Sequence, residues 1–336
     1  MVAVKNFGSF EGKRVDQFTL TSETGTEVDI LNWGVVVRDW RVPVAGGLRS
    51  VVLGFESFDL YPTHSPAMGA VIGRVANRIR GAQFDLDGQT YAIPANDGRN
   101  ALHGGPQGFG RLVWDAAADD ATNSVVFSLT SPDGAMGFPG TVKVKATYRL
   151  KGNRLRLELG AATDRPTPLS LVQHHYFNLG TGDDVLDHRY WLKAHAYTES
   201  TPELIPTGNI LEAAPGSKWD FSTPRTLRDG NGTPIEYDGN TVLDTGRDFH
   251  QPIAVVTAPG GELTLTQWSD RPGLQFYNAV TTNVTVPGLG GRTYGKHSGF
   301  CLEDQAFPDA LHHPHFPSII ITPDRPYAHW CEFEIG

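Results

Sequence analysis

The chain has 336 residues, with 28 Lys and Arg against 37 Asp and Glu, which gives a formal net charge of −9 at pH 7. A chain of this length buries a large core without disulfide or metal staples, and its acidic balance offers no basic surface for a nucleic-acid backbone. The 38 Gly, 23 Pro and 39% hydrophobic residues are typical of a turn-rich globular protein and exclude a disordered one.

Targeting signals are not evident in the sequence. The N-terminal segment lacks the apolar stretch of a secretory signal, and no run of 18 apolar residues follows that could span a bilayer. Two cysteines, Cys301 and Cys331, are too few for a disulfide framework. We therefore expect a cytoplasmic protein without membrane contact, and a monomer is the default expectation because no partner surface is evident.

Short strands with a period of two residues dominate the chain. Residues 82–86 and 89–93 alternate on either side of Asp87-Gly88, a dipeptide that suits a tight hairpin turn. Residues 141–150 alternate between apolar and mostly polar side chains, and residues 154–159 repeat the pattern after a short turn, which predicts an antiparallel hairpin. Further strands are predicted at residues 262–266, 318–322 and 331–335.

Helical periodicity is nearly absent from the sequence. The best helical candidate is short, at residues 73–79, and residues 201–248 carry Pro, Gly, Asn and Asp at the density of a long loop region. The strand pattern persists from end to end without a linker. The sequence therefore predicts a single all-β domain spanning residues 1–336, a large antiparallel β-sandwich or a barrel.

Four segments place polar residues in apolar or glycine-rich surroundings. The first, residues 73–79, carries Asn77 and Arg78, and a guanidinium held in such a frame can bind a ligand oxygen or form an ordinary surface salt bridge. The second carries His103, followed by two glycines that allow a ligand to approach the backbone closely. Taken singly, each of these segments is better explained by a structural role.

The other two segments carry histidines and a carboxylate. His174 and His175 end an apolar run, and adjacent residues of a strand face opposite sides, so at most one of them faces a given pocket. Glu303 follows a Phe-Cys-Leu run, where partial desolvation would raise its pKa toward the range of a general acid or base. Together the four segments describe an acid/base pocket, and no motif of a nucleophilic triad accompanies them.

A histidine-rich segment near the end of the chain raises the alternative of a metal site. His312, His313 and His315 offer three imidazoles within four residues, but their surroundings are typical of a loop and lack the spacing of a four-ligand zinc site. The sequence has no glycine-rich phosphate loop and no dinucleotide fingerprint after a strand. We therefore predict no metal and no cofactor.

In this order and with these separations, the four segments resemble the aldose 1-epimerase family, the galactose mutarotases, over nearly the whole chain. The resemblance implies a large antiparallel β-sandwich with a sugar cleft. It also implies a monosaccharide substrate, a free aldohexose such as galactose or glucose, whose α and β anomers are interconverted. By the same resemblance His174 and Glu303 are the catalytic pair, and His103 lies near the ring oxygen.

The resemblance also implies which residues bind the sugar. They are Asn77, Arg78, Asp238 and Gln275. The chain departs from the family at Gly239, where a histidine is usual, and at Gln173, where asparagine is common. These departures bear on sugar preference more than on the reaction, since neither removes a proton-transfer group.

Anomer exchange requires the hemiacetal to open, the C1 carbonyl to turn and the ring to close. We expect Glu303 to take the proton of the C1 hydroxyl and a charged His174 to protonate the ring oxygen. One alternative is a hexose-6-phosphate 1-epimerase, with Arg225 and Arg228 binding the phosphate. Another is a carbohydrate-binding protein without turnover.

Overall fold

The computed structural model describes residues 1–65, 67–244 and 246–336. The described strands, numbered in chain order, are β1 (Ala3–Phe10), β2 (Lys13–Thr21), β3 (Glu27–Leu31), β4 (Val37–Val44), β5 (Gly47–Ser50), β6 (Val71–Ile72), β7 (Arg78–Ile79), β8 (Gln83–Leu86), β9 (Gln89–Ala92), β10 (Ala101–Leu102), β11 (Asp115–Asp119), β12 (Ser124–Ser131) and β13 (Val142–Lys151). They continue with β14 (Arg154–Thr163), β15 (Thr167–Pro168), β16 (Val172–Gln173), β17 (Arg189–Leu192), β18 (Ala196–Ser200), β19 (Pro206–Glu212), β20 (Asp238–Val242), β21 (Ala254–Thr257), β22 (Thr264–Ser269), β23 (Gly273–Tyr277), β24 (Cys301–Gln305), β25 (Ile320–Ile321) and β26 (Tyr327–Ile335).

Helical structure is sparse. In the described part of the chain it consists of the α-helix α1 (Tyr61–His64) and of 3₁₀ turns at Phe58–Leu60, Arg80–Ala82, Phe109–Arg111, Ala135–Gly137, Pro259–Gly261, Leu289–Gly291 and Ala310–His312. None of these helices has the length and apolarity that crossing a membrane requires.

Three large sheets make up most of the fold. The N-terminal sheet has the order β1-β2-β3-β4-β5, and the central sheet has the order β11-β12-β13-β14-β26-β22-β21-β17. A third sheet, named here the cleft sheet, has the order β19-β18-β20-β23-β24. The described residues also form four two-stranded sheets: β7 with β10, β6 with β16, β15 with β25, and β8 with β9.

Both five-stranded sheets pack against one face of the central sheet. Phe18 of β2 meets Phe127 of β12 edge to face, with 5.7 Å between ring centroids. Tyr190 of β17 lies 5.3 Å from Phe276 of the cleft sheet. Aromatic pairs at these separations add to the stabilisation from burial alone. The prediction of a large antiparallel β-sandwich is confirmed.

The hairpin predicted at residues 141–159 is also confirmed. β13 and β14 pair in antiparallel register, with Leu150 opposite Leu155. The even-numbered residues of β13 from 142 to 150 are buried, whereas Lys143 and Lys145 are exposed. A half-buried strand buries alternate side chains, which is why the sequence pattern was sufficient here.

The predicted helix at residues 73–79 is wrong. The segment forms an isolated bridge at Val75 and ends in β7, because its backbone bonds to distant parts of the chain: the N–H of Ala76 donates to the Ser170 carbonyl at 2.9 Å. A Cβ at Gly73 would lie 2.5 Å from side-chain atoms of Leu171 and of Phe109, so only glycine fits there. Tertiary contacts therefore override the weak local pattern.

The long loop region predicted at residues 201–248 is wrong in part. It contains β19 and β20, and β20 lies in the middle of the cleft sheet, between β18 and β23. The sequence of β20, Asp-Gly-Asn-Thr-Val, has the composition of a turn. Pairing with both neighbouring strands satisfies its backbone and overrides the low strand propensity of Asp, Gly and Asn.

Candidate active site

The cleft sheet presents two rows of side chains on one face. Residues directly opposite each other in neighbouring strands share a face, as do residues two apart in one strand. The rows, read across β20, β23 and β24, are Asp238, Tyr277 and Cys301, and then Asn240, Gln275 and Glu303. Over this face opens a cavity of about 710 Å³, lined by Asp238, Gln275 and Glu303 among others.

The remaining predicted residues reach the cavity from the paired short strands. Asn77, Arg78, His103 and His174 all line it. The structure therefore brings together all seven residues that the sequence singled out for catalysis and sugar binding, although they are spread over more than 220 positions of the chain.

Two hydrogen bonds link His103 and Asn77, one between their backbones and one to the imidazole of His103. The His103 N–H donates to the Asn77 carbonyl at 3.0 Å, and the Asn77 N–H donates to Nδ1 of His103 at 3.2 Å. Both residues have left-handed backbones, with φ of 61° at Asn77 and 55° at His103, a conformation that is uncommon outside glycine and clusters at functional sites. Because Nδ1 accepts a hydrogen bond, Nε2 carries the proton of the neutral imidazole.

His174 directly follows β16 and faces the cavity. Its Nε2 lies 3.5 Å from Oε2 of Glu303, and its ring centroid is 5.2 Å from that of His103. Tyr176 stacks on the imidazole at 5.1 Å and limits its rotation. His175 points the other way, with its Nε2 3.1 Å from the Tyr148 hydroxyl in the core, as expected for adjacent residues on opposite sides of a strand.

The electrostatics of the pair favour uncharged side chains. Burial lowers the pKa of His174 to about 4. Burial also raises the pKa of Glu303 well above its ordinary value, and the nearby Asp238 carboxylate adds to this. Neither Glu303 Oε2 nor His174 Nδ1 has a hydrogen-bond partner among the described residues. Both shifts favour a neutral His174 beside a protonated Glu303, whereas the sequence analysis expected a charged His174.

The sugar-binding residues predicted from the resemblance are linked by short hydrogen bonds. Nε of Arg78 donates to Asp97 at 2.7 Å, which fixes the guanidinium while leaving its terminal nitrogens for the cleft. Nε2 of Gln275 donates to Oδ1 of Asp238 at 2.6 Å. Burial raises the pKa of Asp238, an effect that the positive charge of Arg78 opposes. The cleft therefore offers fixed donors beside fixed carboxylate acceptors, the pattern that suits a polyhydroxylated ligand.

Comparisons with known proteins agree with this geometry. A family model described as aldose 1-epimerase matches residues 16–334. The chain belongs to the aldose 1-epimerase family. The galactose mutarotase of Rattus norvegicus is 38% identical over 336 residues, which cover 97% of this chain and 96% of that one. The aldose 1-epimerase of Haemophilus influenzae is 34% identical, with 99% of both chains covered.

A solved structure shows the same likeness. The aldose epimerase homologue of C. elegans superposes with a TM-score of 0.89 at 25% identity, over 95% of this chain and 98% of that one. The sandwich with its cleft sheet is therefore an architecture that this chain shares with an aldose epimerase homologue.

In this member of the aldose 1-epimerase family, sequence reasoning missed two aromatic walls of the cleft. Tyr176 and Tyr277 both line the cavity. Tyr176 lies two residues after His174, and Tyr277 lies two residues after Gln275. Period-two alternation, applied to the site residues themselves, would have identified both.

Gly239 does not reach the cleft of this family member. It alternates with Asp238 and Asn240 and so faces the opposite side of the cleft sheet. A Cβ there would lie 2.7 Å from Cη2 of Trp219, whose ring stacks on Tyr197 at 5.3 Å. The indole occupies the space next to this position, so the glycine is a packing feature of the layer under the sugar site.

Gln173 joins a buried polar network behind Glu303. Asp304, the next residue of β24, faces away from the cleft and is fully buried. Its Oδ1 accepts from Gln267 at 3.1 Å and from Gln173 at 3.4 Å, while its Oδ2 accepts from Ser269. Gln173 also donates to the Leu302 carbonyl at 2.7 Å. The departure from asparagine at Gln173 therefore helps to hold the strand that carries Glu303.

His329 completes this network. Its Nε2 lies 3.2 Å from Oδ2 of Asp304, and its Nδ1–H donates to Asp270 at 2.6 Å. Removing a buried carboxylate that accepts several hydrogen bonds leaves its donors unpaired and costs about 3–5 kcal/mol of folding free energy. We expect Asp304→Ala to lower the free energy of unfolding by about this amount in urea titrations. Asp304→Asn, which keeps an acceptor for both glutamines, should lose less, and a loss below about 1 kcal/mol for the alanine variant would contradict the network's role.

The residues proposed for a metal or a phosphate lie elsewhere. Nε2 of His313 and of His315 each donates to a backbone carbonyl of β19, at 3.1 and 2.8 Å, so these nitrogens fasten a strand. Arg228 pairs with Asp187 at 2.7 Å, and Arg225 donates to the Ser217 carbonyl at 2.8 Å. None of these four residues lines the described cavity over the cleft sheet.

Proposed function

We propose that this protein is an aldose 1-epimerase that interconverts the α and β anomers of free aldohexoses such as D-galactose and D-glucose. Relatives named galactose mutarotase and aldose 1-epimerase, similar over their full length, support the reaction class. One observation carries the mechanistic proposal: a buried histidine and a buried glutamate, His174 and Glu303, face one cavity with 3.5 Å between Nε2 and Oε2. Exchange NMR on an equilibrated sugar tests it, since added protein should produce cross-peaks between the two anomeric protons.

Ring opening requires one proton to leave the C1 hydroxyl and one to reach the ring oxygen. We assign the first transfer to Glu303 as base and the second to His174 as acid, with both roles reversed on closure. A positioned proton-transfer group contributes about 10²–10⁴-fold to the rate. A Glu303–His174 pair that shares a single proton fits this cycle, because ring closure reverses both transfers and restores the protonation state that the pair had before ring opening.

Sugar binding sets the position of that proton. Oε2 of Glu303 has no hydrogen-bond partner in the described part of the chain, and a sugar hydroxyl that donates to it lowers the pKa of the carboxyl. The proton then passes to His174, whose Nε2 is 3.5 Å away. The substrate thus creates the anionic base and the cationic acid that its own opening requires.

His103 supports the developing charge at the ring oxygen. Its Nδ1 is fixed by the Asn77 N–H, so its Nε2–H is the group left to donate into the cleft. Burial lowers the pKa of His103 well below its ordinary value, and the charges of His174 and Arg78 reinforce this. A neutral donor here assists protonation of the ring oxygen without competing for the proton of the catalytic pair.

The rate should depend on pH through this pair. The profile of kcat/KM reports the pKa values of the free enzyme, and His174 titrates at about 4 when the cleft is free. Because a second proton on the pair removes the acceptor, we expect kcat/KM to be level between about pH 5.5 and 7 and to fall below about pH 4. Circular dichroism at each pH controls for unfolding. An acid limb centred near 6.5, the value of an exposed histidine, would contradict the assignment.

Asp238 should serve binding more than chemistry. Its carboxylate accepts from Gln275 at 2.6 Å and lines the cleft, where charge-assisted hydrogen bonds to sugar hydroxyls are worth about 1.5–3 kcal/mol each. Asp238→Asn should therefore raise KM by about 10–100-fold with a smaller change in kcat. Steady-state kinetics on galactose measure both constants. An unchanged KM with a collapsed kcat would place Asp238 in the proton transfers instead.

We further propose that the chain is one domain over residues 1–336 and acts as a cytoplasmic monomer. Both cysteines are free and buried, which suits a reducing compartment. The cleft is lined by residues of this one chain. Sedimentation of the purified protein tests the oligomeric state.

A further inference from the structure

Cys301 lies beside the catalytic pair but takes no part in the proposed proton transfers. It shares the cleft-sheet face with Glu303, two residues away on β24, and its side chain is buried. One ligand atom each of Cys301, His174 and Glu303 lies within 4.8 Å of the other two. A thiol, an imidazole and a carboxyl group therefore converge on one point, and two of the three residues, His174 and Glu303, line the cavity.

We propose that Cys301, His174 and Glu303 form a zinc-binding site, through which Zn²⁺ reversibly inhibits the enzyme. The binding stands on the geometry alone, whereas the inhibition rests on the proposed function.

The distances suit a tetrahedral ion. Zinc bonds of about 2.0–2.3 Å to sulfur, nitrogen and oxygen place tetrahedral ligand atoms roughly 3.3–3.7 Å apart. Nε2 of His174 and Oε2 of Glu303 are already 3.5 Å apart, and Oε2 is a buried oxygen without a hydrogen-bond partner among the described residues. The ligand atom of Cys301 lies within 4.8 Å of both, so small side-chain movements would bring all three ligands to the ion, with water as its fourth ligand.

The ligand chemistry selects zinc over the common hard cations. A thiolate and an imidazole favour borderline and soft metals, whereas Mg²⁺ prefers oxygen ligands and keeps most of its water. Zinc binds the thiolate of Cys301 and the carboxylate of Glu303, so at least the thiol proton is released per zinc and no electron is transferred. Affinity should therefore rise with pH.

The site lacks one feature of resident zinc centres. A ligating histidine usually donates its second ring N–H to a neighbouring group, and loss of that partner costs about 10–100-fold in affinity. Nδ1 of His174 has no such partner in the described residues. We therefore expect an exchangeable inhibitor, removed by chelators, and not a cofactor retained through purification.

The zinc would compete directly with the sugar. It takes both proton-transfer groups as ligands, so an aldose cannot bind productively while the ion is present. Zn²⁺ should raise the apparent KM for galactose without lowering kcat, excess EDTA should restore the original rate, and Mg²⁺ at the same concentration should have no effect. For the wild type and for each Cys variant described below, the rate with metal is compared with the rate of the same protein without metal. Inhibition that sugar does not relieve, or that Mg²⁺ reproduces, would overturn the proposal.

Calorimetric titration with zinc chloride tests binding without turnover. Wild type should bind one zinc per chain, and Cys301→Ala should weaken binding at least tenfold, with Cys301→Ser as a second variant should the alanine protein fail to fold. Cys331→Ala is the matched control. Cys331 also lies near a histidine and a carboxylate, His329 and Asp304, but that cluster is buried behind the cleft sheet and Asp304 already accepts from Ser269.

The two assays separate the proposals. Equal zinc affinity of Cys301→Ala and wild type, absence of zinc binding, or loss of binding in Cys331→Ala alone would each overturn the zinc site. Zinc binding that depends on Cys301 in a protein without mutarotase activity would uphold the site and overturn the proposed function.

Discussion

Glu303→Gln should reduce kcat by about 10²–10⁴-fold while changing KM little. The amide keeps the shape of the side chain and its hydrogen bonds to the sugar, but it cannot accept the proton of the C1 hydroxyl. A coupled assay with a dehydrogenase that oxidises only β-D-glucose measures the rate at which the α anomer is converted. The variant should remain folded, because a neutral amide replaces a buried carboxyl whose Oε2 has no partner among the described residues.

Glu332→Gln is the matched control for this change. Glu332 lies in β26 of the central sheet and bonds to Arg154 at 3.0 Å, outside the residues that line the cleft. It should retain the rate of the unaltered protein. If Glu303→Gln turned over as fast as this control, Glu303 would not be the base.

His174→Asn should have an effect of the same order, about 10²–10⁴-fold on kcat. Asparagine neither donates nor accepts a proton in this pH range, so the ring oxygen would leave without protonation by this group. The loss should also flatten the acid limb of the pH profile, because that limb is the titration of His174 itself. Steady-state rates between about pH 3 and 7, with circular dichroism at each pH, measure both effects.

His175→Asn separates catalysis from packing. His175 has the same chemistry one residue away, but its ring is buried in the aromatic core 5.6 Å from Phe333. Its variant should lose stability in urea and keep most of its kcat per folded molecule. Equal losses of kcat in the two variants would mean that the segment, and not His174, is what the reaction needs.

Much of the fold could be predicted from the sequence, because half-buried strands carry their own signature. The hairpin of β13 and β14 was evident from alternation alone, since one face is packed and the other is solvated. β20 was not predicted as a strand, because it begins with Asp-Gly-Asn, a sequence typical of turns. It is a strand because it pairs with β18 and β23 on either side. Local pattern cannot anticipate a strand that long-range pairing imposes.

The members of the candidate site could be predicted, but their electrostatics could not. The separations of the four segments, together with the resemblance, identified His174 and Glu303. The side-chain types alone suggested a charged histidine, whereas burial lowers the pKa of His174 to about 4 and favours a neutral pair. Burial of this kind depends on every element that covers the site, such as Tyr176 stacked on the imidazole, and no single segment encodes it.

The role of Gly239 could not be predicted from the sequence either. As a departure from the family pattern it suggested a change in sugar preference, but its position on β20 turns it away from the cleft and toward Trp219. The face of a sheet on which a residue lies depends on the register of its strand. Because β20 was not predicted as a strand, the direction in which Gly239 faces could not be predicted.

Polarimetry on freshly dissolved α-D-galactose tests the central claim most directly. Rotation is followed at pH 7 in buffer, with the protein, and with Glu303→Gln at equal concentration. We expect the protein to bring the rotation to its equilibrium value much faster than buffer and the variant to lose most of this acceleration. A protein trace that matches buffer would contradict the proposed function, and equal acceleration by protein and variant would contradict the role of Glu303.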